Sequence, residues 1–443
     1  MQATGWRRIL GVTMILGLTF AACSGGTATT APSAPASESA ANSPAWCKDG
    51  VVTIGTEFPM SGASAANGEP AVNGVRLAIK EQNAKGGIAG CKLDINVQDD
   101  AVNGIHDVQQ GAKNMATLVA DTSVIGVMGP YNSSVAKAQI PISNEAGLLQ
   151  CSPANTAVSL TEGPDAIKLR EAQPDKLNYI RTATKDSVQG PAGADFIFKD
   201  LNAKSVYLLD DTQLFGVGLA DAFAAEFTAL GGTVVKHDSA PISTSDFTAL
   251  FTGAAALKPA AVYFAGNLAT GMGLAMAQAR TVPGMENIPF MGPDATTDLL
   301  QGGVPGAAIT IVGSAAHDLY GTLSSAHDIP GAKAFHDAYA AEFSGTPENS
   351  YSASAYACAQ VIMQSLEKAA ATATDLASAR ESVRANATNT ANTFDTLIDK
   401  RLAFDKNGDN IAPYISYYKT DMTAAGGKGD WVFIKQEAFP AKR

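Results

Sequence analysis

Basic residues are scarce in this chain. Its 31 Lys and Arg face 42 Asp and Glu, for a formal net charge of −11 over 443 residues. They form no cluster, which argues against nucleic acid as a partner. Only five cysteines are present, and no two have the C-x-x-C spacing on which redox motifs and many zinc sites depend. Glycine-rich phosphate loops are missing too. Gly216-Val217-Gly218 and Gly271-Met272-Gly273 have Asp221 and Met276 where a third glycine belongs, and no Walker lysine follows either. His317, His327 and His336 lie close in sequence, each followed by Asp, so zinc is conceivable, but they read as surface histidines. Asp405-Lys406-Asn407-Gly408-Asp409 alternates oxygen ligands as a calcium loop does. Asn410 stands where that loop needs glycine, and Ser416 where it needs a bidentate Glu, so the stretch reads as a hairpin turn. No Ser/His/Asp or Cys/His set has a nucleophile context. Metal, cofactor and enzymatic catalysis are not expected.

The leading residues carry a signal. Trp6-Arg7-Arg8 precedes the apolar run Ile9–Phe20, which is shorter than the roughly 20 residues needed to span a bilayer. Residues 1–22 therefore read as a signal peptide. Its end, Phe20-Ala21-Ala22-Cys23, resembles the lipobox of bacterial lipoproteins, with Cys23 the residue to be lipidated and Phe20 replacing the usual aliphatic. Ser24–Ala45 is almost entirely small and polar, with Glu38 its only charge, so residues 23–45 form a lipidated tether with a reach of roughly 25 Å. The globular body is thus expected outside the cell, anchored to the membrane's outer face or periplasmic. An exported chain can pair Cys47, Cys91, Cys151 and Cys358. Cys47 and Cys91 each sit just before a predicted strand, and adjacent parallel strands bring such starts together. Cys47–Cys91 is the expected bridge, with Cys151 and Cys358 read as buried thiols.

The rest of the chain is larger than one core usually organises, so two lobes are expected. Val124–Thr156 anchors the reading as strand, polar turn, helix, strand, polar turn. Val124–Met128 is short and β-branched, as a strand buried on both faces should be. Asn132 or Ser133 can cap the next helix, and Ser152–Thr156 forms the second turn. Both turns fall at carboxyl ends of parallel strands, where open α/β sheets bind ligands. Helix-start amides with the Ser133 and Thr156 hydroxyls suit a carboxylate, although caps and turns alone would look similar. Strands from Val51 and Leu93, with helices near Ala71–Ala84 and Val108–Ala120, complete a βαβαβαβ unit. A second unit begins after Thr182, with strands at Val206–Leu209, Thr233–Val235, Ala261–Phe264, Ile288–Met291 and Thr310–Val312. Two further helices follow, then short strands at Phe394–Leu397 and Arg401–Phe404. Antiparallel strands at Tyr414–Tyr418 and Trp431–Ile434 finish the chain.

Several stretches resemble the leucine/isoleucine/valine-binding protein family, type I periplasmic solute-binding proteins of branched-chain amino acid ABC transporters. They are Pro59–Gly62, Asn83–Gly90, Gly129 with Ser133-Ser134, Ser152–Thr156, Asp186–Gly190, Phe290–Asp294 and Phe404–Asp409. The resemblance implies two doubly wound parallel-sheet lobes joined by three crossovers, near 182–186, 313–317 and 412–415. The first lobe then takes residues 46–183 with 315–412, and the second takes 184–314 with 413–443. It implies an amino acid held in the cleft and delivered to ABC permease subunits in the membrane. Ser133 and Thr156 would hold the ligand carboxylate; the Ala154 carbonyl, Thr156 hydroxyl and Asp294 would hold the ammonium. Tyr131 belongs to the first turn. Asn67, Phe215 and Asn267 stand at pocket positions that are aromatic in branched-chain binders, implying a partly more polar pocket. The alternatives are a sensory receptor or hydrolase of the same fold, or a binder of a small amide or carboxylate that is not an amino acid. The lack of a fused signalling domain or catalytic set favours transport.

Overall fold

The computed structural model describes residues 43–439. The signal peptide of residues 1–22, Cys23 and most of the tether lie outside the described residues. Among the described residues, no helix is long and apolar enough to cross a membrane.

The first sheet contains β1 (Val51–Phe58), β2 (Lys92–Asp99), β3 (Val124–Met128), β4 (Gln150–Ser152) and β5 (Tyr179–Arg181). They run in the order β2-β1-β3-β4-β5, all parallel. Helices α1 (Ala65–Ala84), α2 (Val108–Ala120) and α3 (Ser133–Glu145) make the crossovers. Every residue of β3 is buried, as its β-branched composition requires. α1 starts ahead of Pro70, where a sequence reading would begin it. Pro70 has no N–H to give, so the Ala66 carbonyl loses its helical donor; Asn349 Nδ2 replaces it at 3.0 Å. A Cβ at Gly74 would sit 2.2 Å from the Ser352 carbonyl, so glycine lets α1 press against the start of helix Ser352–Ala369. That helix covers the sheet, placing Val361, Ile362 and Leu366 in one core with Val52, Ile54 and Ile125.

The second sheet contains β6 (Ser205–Asp210), β7 (Thr233–Ser239), β8 (Ala261–Ala265), β9 (Phe290–Gly292), β10 (Leu319–Leu323), β11 (Tyr414–Asp421) and β12 (Asp430–Ala438). Their order is β12-β11-β10-β9-β8-β6-β7, parallel except at β10–β11 and β11–β12. The chain passes between the sheets after Arg181, after Leu323 and before Tyr414. The second passage is later than 313–317. Thr310–Val312, expected as a strand, lies in the short helix Ala308–Val312, whose first N–H is held by the buried Asp298 carboxylate at 2.7 Å. Its place in the sheet goes to Leu319–Leu323, so residues 315–323 belong with the second sheet rather than the first. Phe394–Leu397 and Arg401–Phe404 are not strands either; only the single bridges Phe394–Leu402 and Phe404–Asn410 form there.

Two disulfides close the first lobe. Cys47–Cys91 forms as expected, with Cα atoms 6.3 Å apart. Cys151 and Cys358, expected as free thiols, are also bridged, with Cα atoms 5.7 Å apart. Cys151 lies on β4 and Cys358 in the helix that covers this sheet, so packing brings together residues 207 apart in sequence.

Candidate functional site

β3 stops at Met128 because Gly129 takes φ +125°, and a Cβ there would lie 2.2 Å from the Glu57 carbonyl. The turn feeds directly into α3. Asn132 occupies its cap position without a side-chain cap bond, which leaves the first amides of α3 available to a ligand. The Ser133 hydroxyl accepts the Ala157 N–H at 3.4 Å, touching the second turn. That turn is stitched to the first. Ser152 Oγ donates to the Pro130 carbonyl at 2.8 Å and accepts the Asn155 N–H at 2.9 Å. Asn155 Nδ2 donates to the Tyr131 carbonyl at 2.8 Å, while its Oδ1 accepts from the Tyr179 hydroxyl at 2.9 Å. Beneath lies Arg181, fully buried. It donates to Asp409 at 2.7 Å and to the carbonyl of Ala157 at 2.8 Å. Lys185 reaches the other Asp409 oxygen at 2.8 Å. The Asp405–Asp409 turn is therefore a support for the second binding turn.

The facing wall comes from the second lobe. Asp294, 2% exposed, follows β9. Its Oδ1 accepts from Gln189 Nε2 at 3.0 Å, and its N–H donates to Gln189 Oε1 at 2.9 Å. Its Oδ2 accepts from the Tyr351 hydroxyl at 3.4 Å, and Tyr351 belongs to the first lobe. No helix starts at Asp294: residues 294–296 form a turn, so an N-cap role does not apply. Phe215 at the start of helix Leu214–Ala229, and Asn267 at the end of β8, complete this side. Asp211 holds the Asn267 N–H at 3.1 Å and fixes that corner.

Together these groups line one small cavity between the two walls. Burial pushes the Asp294 carboxyl up to about 6, against the pull of its hydrogen-bond donors. It pushes Asp186, behind the second turn, up to about 8. No cation lines the cavity, and the guanidinium of Arg181 is committed to Asp409. Among the described residues Asn132 Oδ1 is buried without a hydrogen-bond partner, while Tyr131 Oη has only a loose approach to the Tyr351 hydroxyl and Thr156 Oγ1 only one to the Asp186 carboxyl. A cavity with an unmatched acid on one side, and helix amides and loosely held hydroxyls on the other, is suited to a zwitterion.

Seven of the residues singled out from sequence meet here: Tyr131, Ser133, Ala154 and Thr156 on one wall, Phe215, Asn267 and Asp294 on the other. Asn67 does not. Because α1 begins at Ala65, Asn67 lies inside its first turns, with its carbonyl accepting from Asn349 Nδ2 at 3.1 Å. Asn132, Ala295 and Tyr351 also line the cavity. Tyr351 gave no local signal beyond preceding an amphipathic helix. The three histidines do not converge: His327 meets the Tyr418 hydroxyl at 2.9 Å, His336 pairs with Glu348, and His317 lies beside Asp318. Among the described residues, no group of three or more His, Cys, Asp or Glu could hold a metal ion.

A family model described as periplasmic binding protein matches residues 51–421. The Leu/Ile/Val-binding protein BraC3 of Rhizobium johnstonii is 32% identical over 373 residues, covering 83% of this chain and 91% of that protein. A leucine-, isoleucine-, valine-, threonine- and alanine-binding protein of Pseudomonas aeruginosa is 30% identical, covering 81% of this chain and 87% of that protein. Among solved structures, a leucine-binding protein from Thermotoga maritima aligns with TM-score 0.69 at 24% identity, over 87% of this chain and 98% of that one. A solute-binding protein from R. palustris in complex with benzoate aligns with TM-score 0.69 at 20% identity, over 88% and 98%. These two likenesses speak to the fold.

Proposed function

This chain belongs to the periplasmic binding protein family, and on that premise we propose that it captures a free amino acid between its lobes and delivers it to an ABC permease. The observation that carries this reading is Asp294. It is a buried carboxylate with no cation in the cavity, opposite the α3 amides and the Thr156 hydroxyl. A ligand ammonium supplies the missing positive charge, and a ligand carboxylate takes the amides. An acid without an amine, such as benzoate, would bring a second negative charge towards Asp294 with no ammonium to offset it, so the cavity disfavours it. Ser133 and Thr156 hold the carboxylate, with the Ala154 carbonyl, the Thr156 hydroxyl and Asp294 taking the ammonium.

Contacts from both lobes mean that the ligand favours the closed state by its differential affinity, with the hinge at the three chain passages. Anchoring through Cys23 is part of the proposal, supported by the lipobox-like Phe20-Ala21-Ala22-Cys23 and the tether behind it. Calorimetry against the common amino acids tests the central claim. Binding of at least one free amino acid, lost when its amine is acetylated, is expected. Binding of an amine-free carboxylate in preference to all of them would refute it. Mass spectrometry of the mature amino terminus tests the anchor: a diacylated Cys23 is expected, and an unmodified thiol excludes it.

A further inference from the structure

Once the head group is assigned, two buried polar atoms remain. Tyr131 Oη and Asn132 Oδ1 line the same cavity, on side chains 6% and 5% exposed; among the described residues Asn132 Oδ1 has no hydrogen-bond partner, and the Tyr131 hydroxyl has only a loose approach to the Tyr351 hydroxyl. Resting on the amino-acid reading above, we propose that the ligand's side chain carries a hydroxyl or carboxamide, which the Tyr131 hydroxyl and the Asn132 carboxamide read.

Other polar groups at the site are already engaged. The Tyr351 hydroxyl is spent on Asp294. Gln189 is held by Asp294 and by the Thr322 hydroxyl at 3.0 Å. Asn155 is locked between Tyr131 and Tyr179. Tyr131 is also fixed in place, because its ring meets the Tyr351 ring edge-on, with centroids 5.1 Å apart at 89°. Its hydroxyl therefore cannot swing away to water at small cost. A side chain with both a donor and an acceptor satisfies a loosely partnered phenol and an unpartnered carboxamide oxygen together. An aliphatic side chain buries both without a good partner, which costs about tenfold in affinity or more for each.

Two near-isosteric pairs isolate the polar contribution from shape. Threonine differs from valine by hydroxyl for methyl, and asparagine is close to leucine in outline. Calorimetry with these four L-amino acids, on wild type and Tyr131→Phe, is the test, with thermal melting to confirm that the variant is folded. The expected result is that threonine beats valine, or asparagine beats leucine, by about tenfold or more, and that Tyr131→Phe removes most of that gap. The inference is overturned if valine or leucine binds wild type more tightly than its polar partner. It is equally overturned if Tyr131→Phe leaves the gap unchanged. Either result leaves the amino-acid reading standing. If none of the common amino acids binds wild type, the head-group assignment itself falls, and this inference with it.

Discussion

Asp294→Asn is the substitution that separates a binding role from a structural one. The carboxylate accepts from Gln189 through Oδ1, and the backbone N–H returns a bond to Gln189, at 3.0 and 2.9 Å. An amide keeps one oxygen for Gln189 and leaves the backbone bond untouched, so folding should change little. What disappears is the negative charge that the ligand ammonium needs. A charge-assisted hydrogen bond contributes about 1.5–3 kcal/mol, so affinity should drop about 10- to 150-fold. The wild type adds an independent signature. Asp294 is pushed up to about 6 because burial outweighs its hydrogen-bond donors. Only its ionised form holds an ammonium, so binding is strong above that value. Affinity is lost as pH falls through about 6, approaching tenfold per pH unit below it. Asp186, raised to about 8 chiefly by burial and in part by the Asp294 charge, titrates in a higher window and shifts down in the variant. Calorimetry with the preferred amino acid, from about pH 8 down to about pH 5, should show the wild-type slope and its loss in Asp294→Asn. A variant that binds as tightly as wild type at pH 8 refutes the ammonium role, and so does a wild type whose affinity is flat across pH 6.

Three other predictions follow from the same packing. Burial holds both Glu57 and Asp100 well above the usual carboxylate range, and Asp99 nearby adds to this. Their stabilising contribution is complete below the unfolded value near 4 and is lost as pH rises through the folded values, so ligand-free protein should melt progressively lower from about pH 5 to pH 9. Glu57→Gln should flatten that trend, and an equal slope in wild type and variant counts against the pair. Cys151 and Cys358 should appear as one linked peptide in a non-reduced digest, and replacing both with Ala should cost about 2–5 kcal/mol in denaturant titration; two free thiols in exported protein would sink the assignment. Arg181→Met strands the buried Asp409 carboxylate, so unfolding free energy should drop by about 3–5 kcal/mol, and a loss under 1 kcal/mol would mean that Lys185 alone neutralises Asp409.

The parallel-sheet plan was legible because its signals are local. Val124–Met128 can hardly be anything but a doubly buried strand, and Gly129-Pro130 must end it. The errors arose where a short segment's fate is decided by a distant partner. Thr310–Val312 has strand composition, but the Asp298 carboxylate captures the Ala308 amide and starts a helix. Pro70 signals a helix start because it lacks an amide, yet Asn349, remote in sequence, supplies the donor that lets α1 begin earlier. The Cys151–Cys358 bridge depends on one late helix returning to cover a sheet built much earlier in the chain. No spacing rule reaches across that distance.

The site divides in the same way. Its first wall is contiguous in sequence, two turns joined by one helix, so Ser133 and Thr156 could be read from the strand–turn–helix pattern, with Ala154 added only by the family resemblance. The residues that complete it are not contiguous. Tyr351 precedes a helix of the first lobe but spends its hydroxyl on Asp294 of the second, a contact that exists only when the lobes are together. Asn67 fails for the opposite reason: the α1 start that Asn349 makes possible carries it into the helix and out of the cleft. The proposed carboxylate contacts and the proposed side-chain readers Tyr131 and Asn132 thus share one short run of chain, while Asp294 and Tyr351 come from remote segments, the Tyr351 ring meeting Tyr131 edge-on.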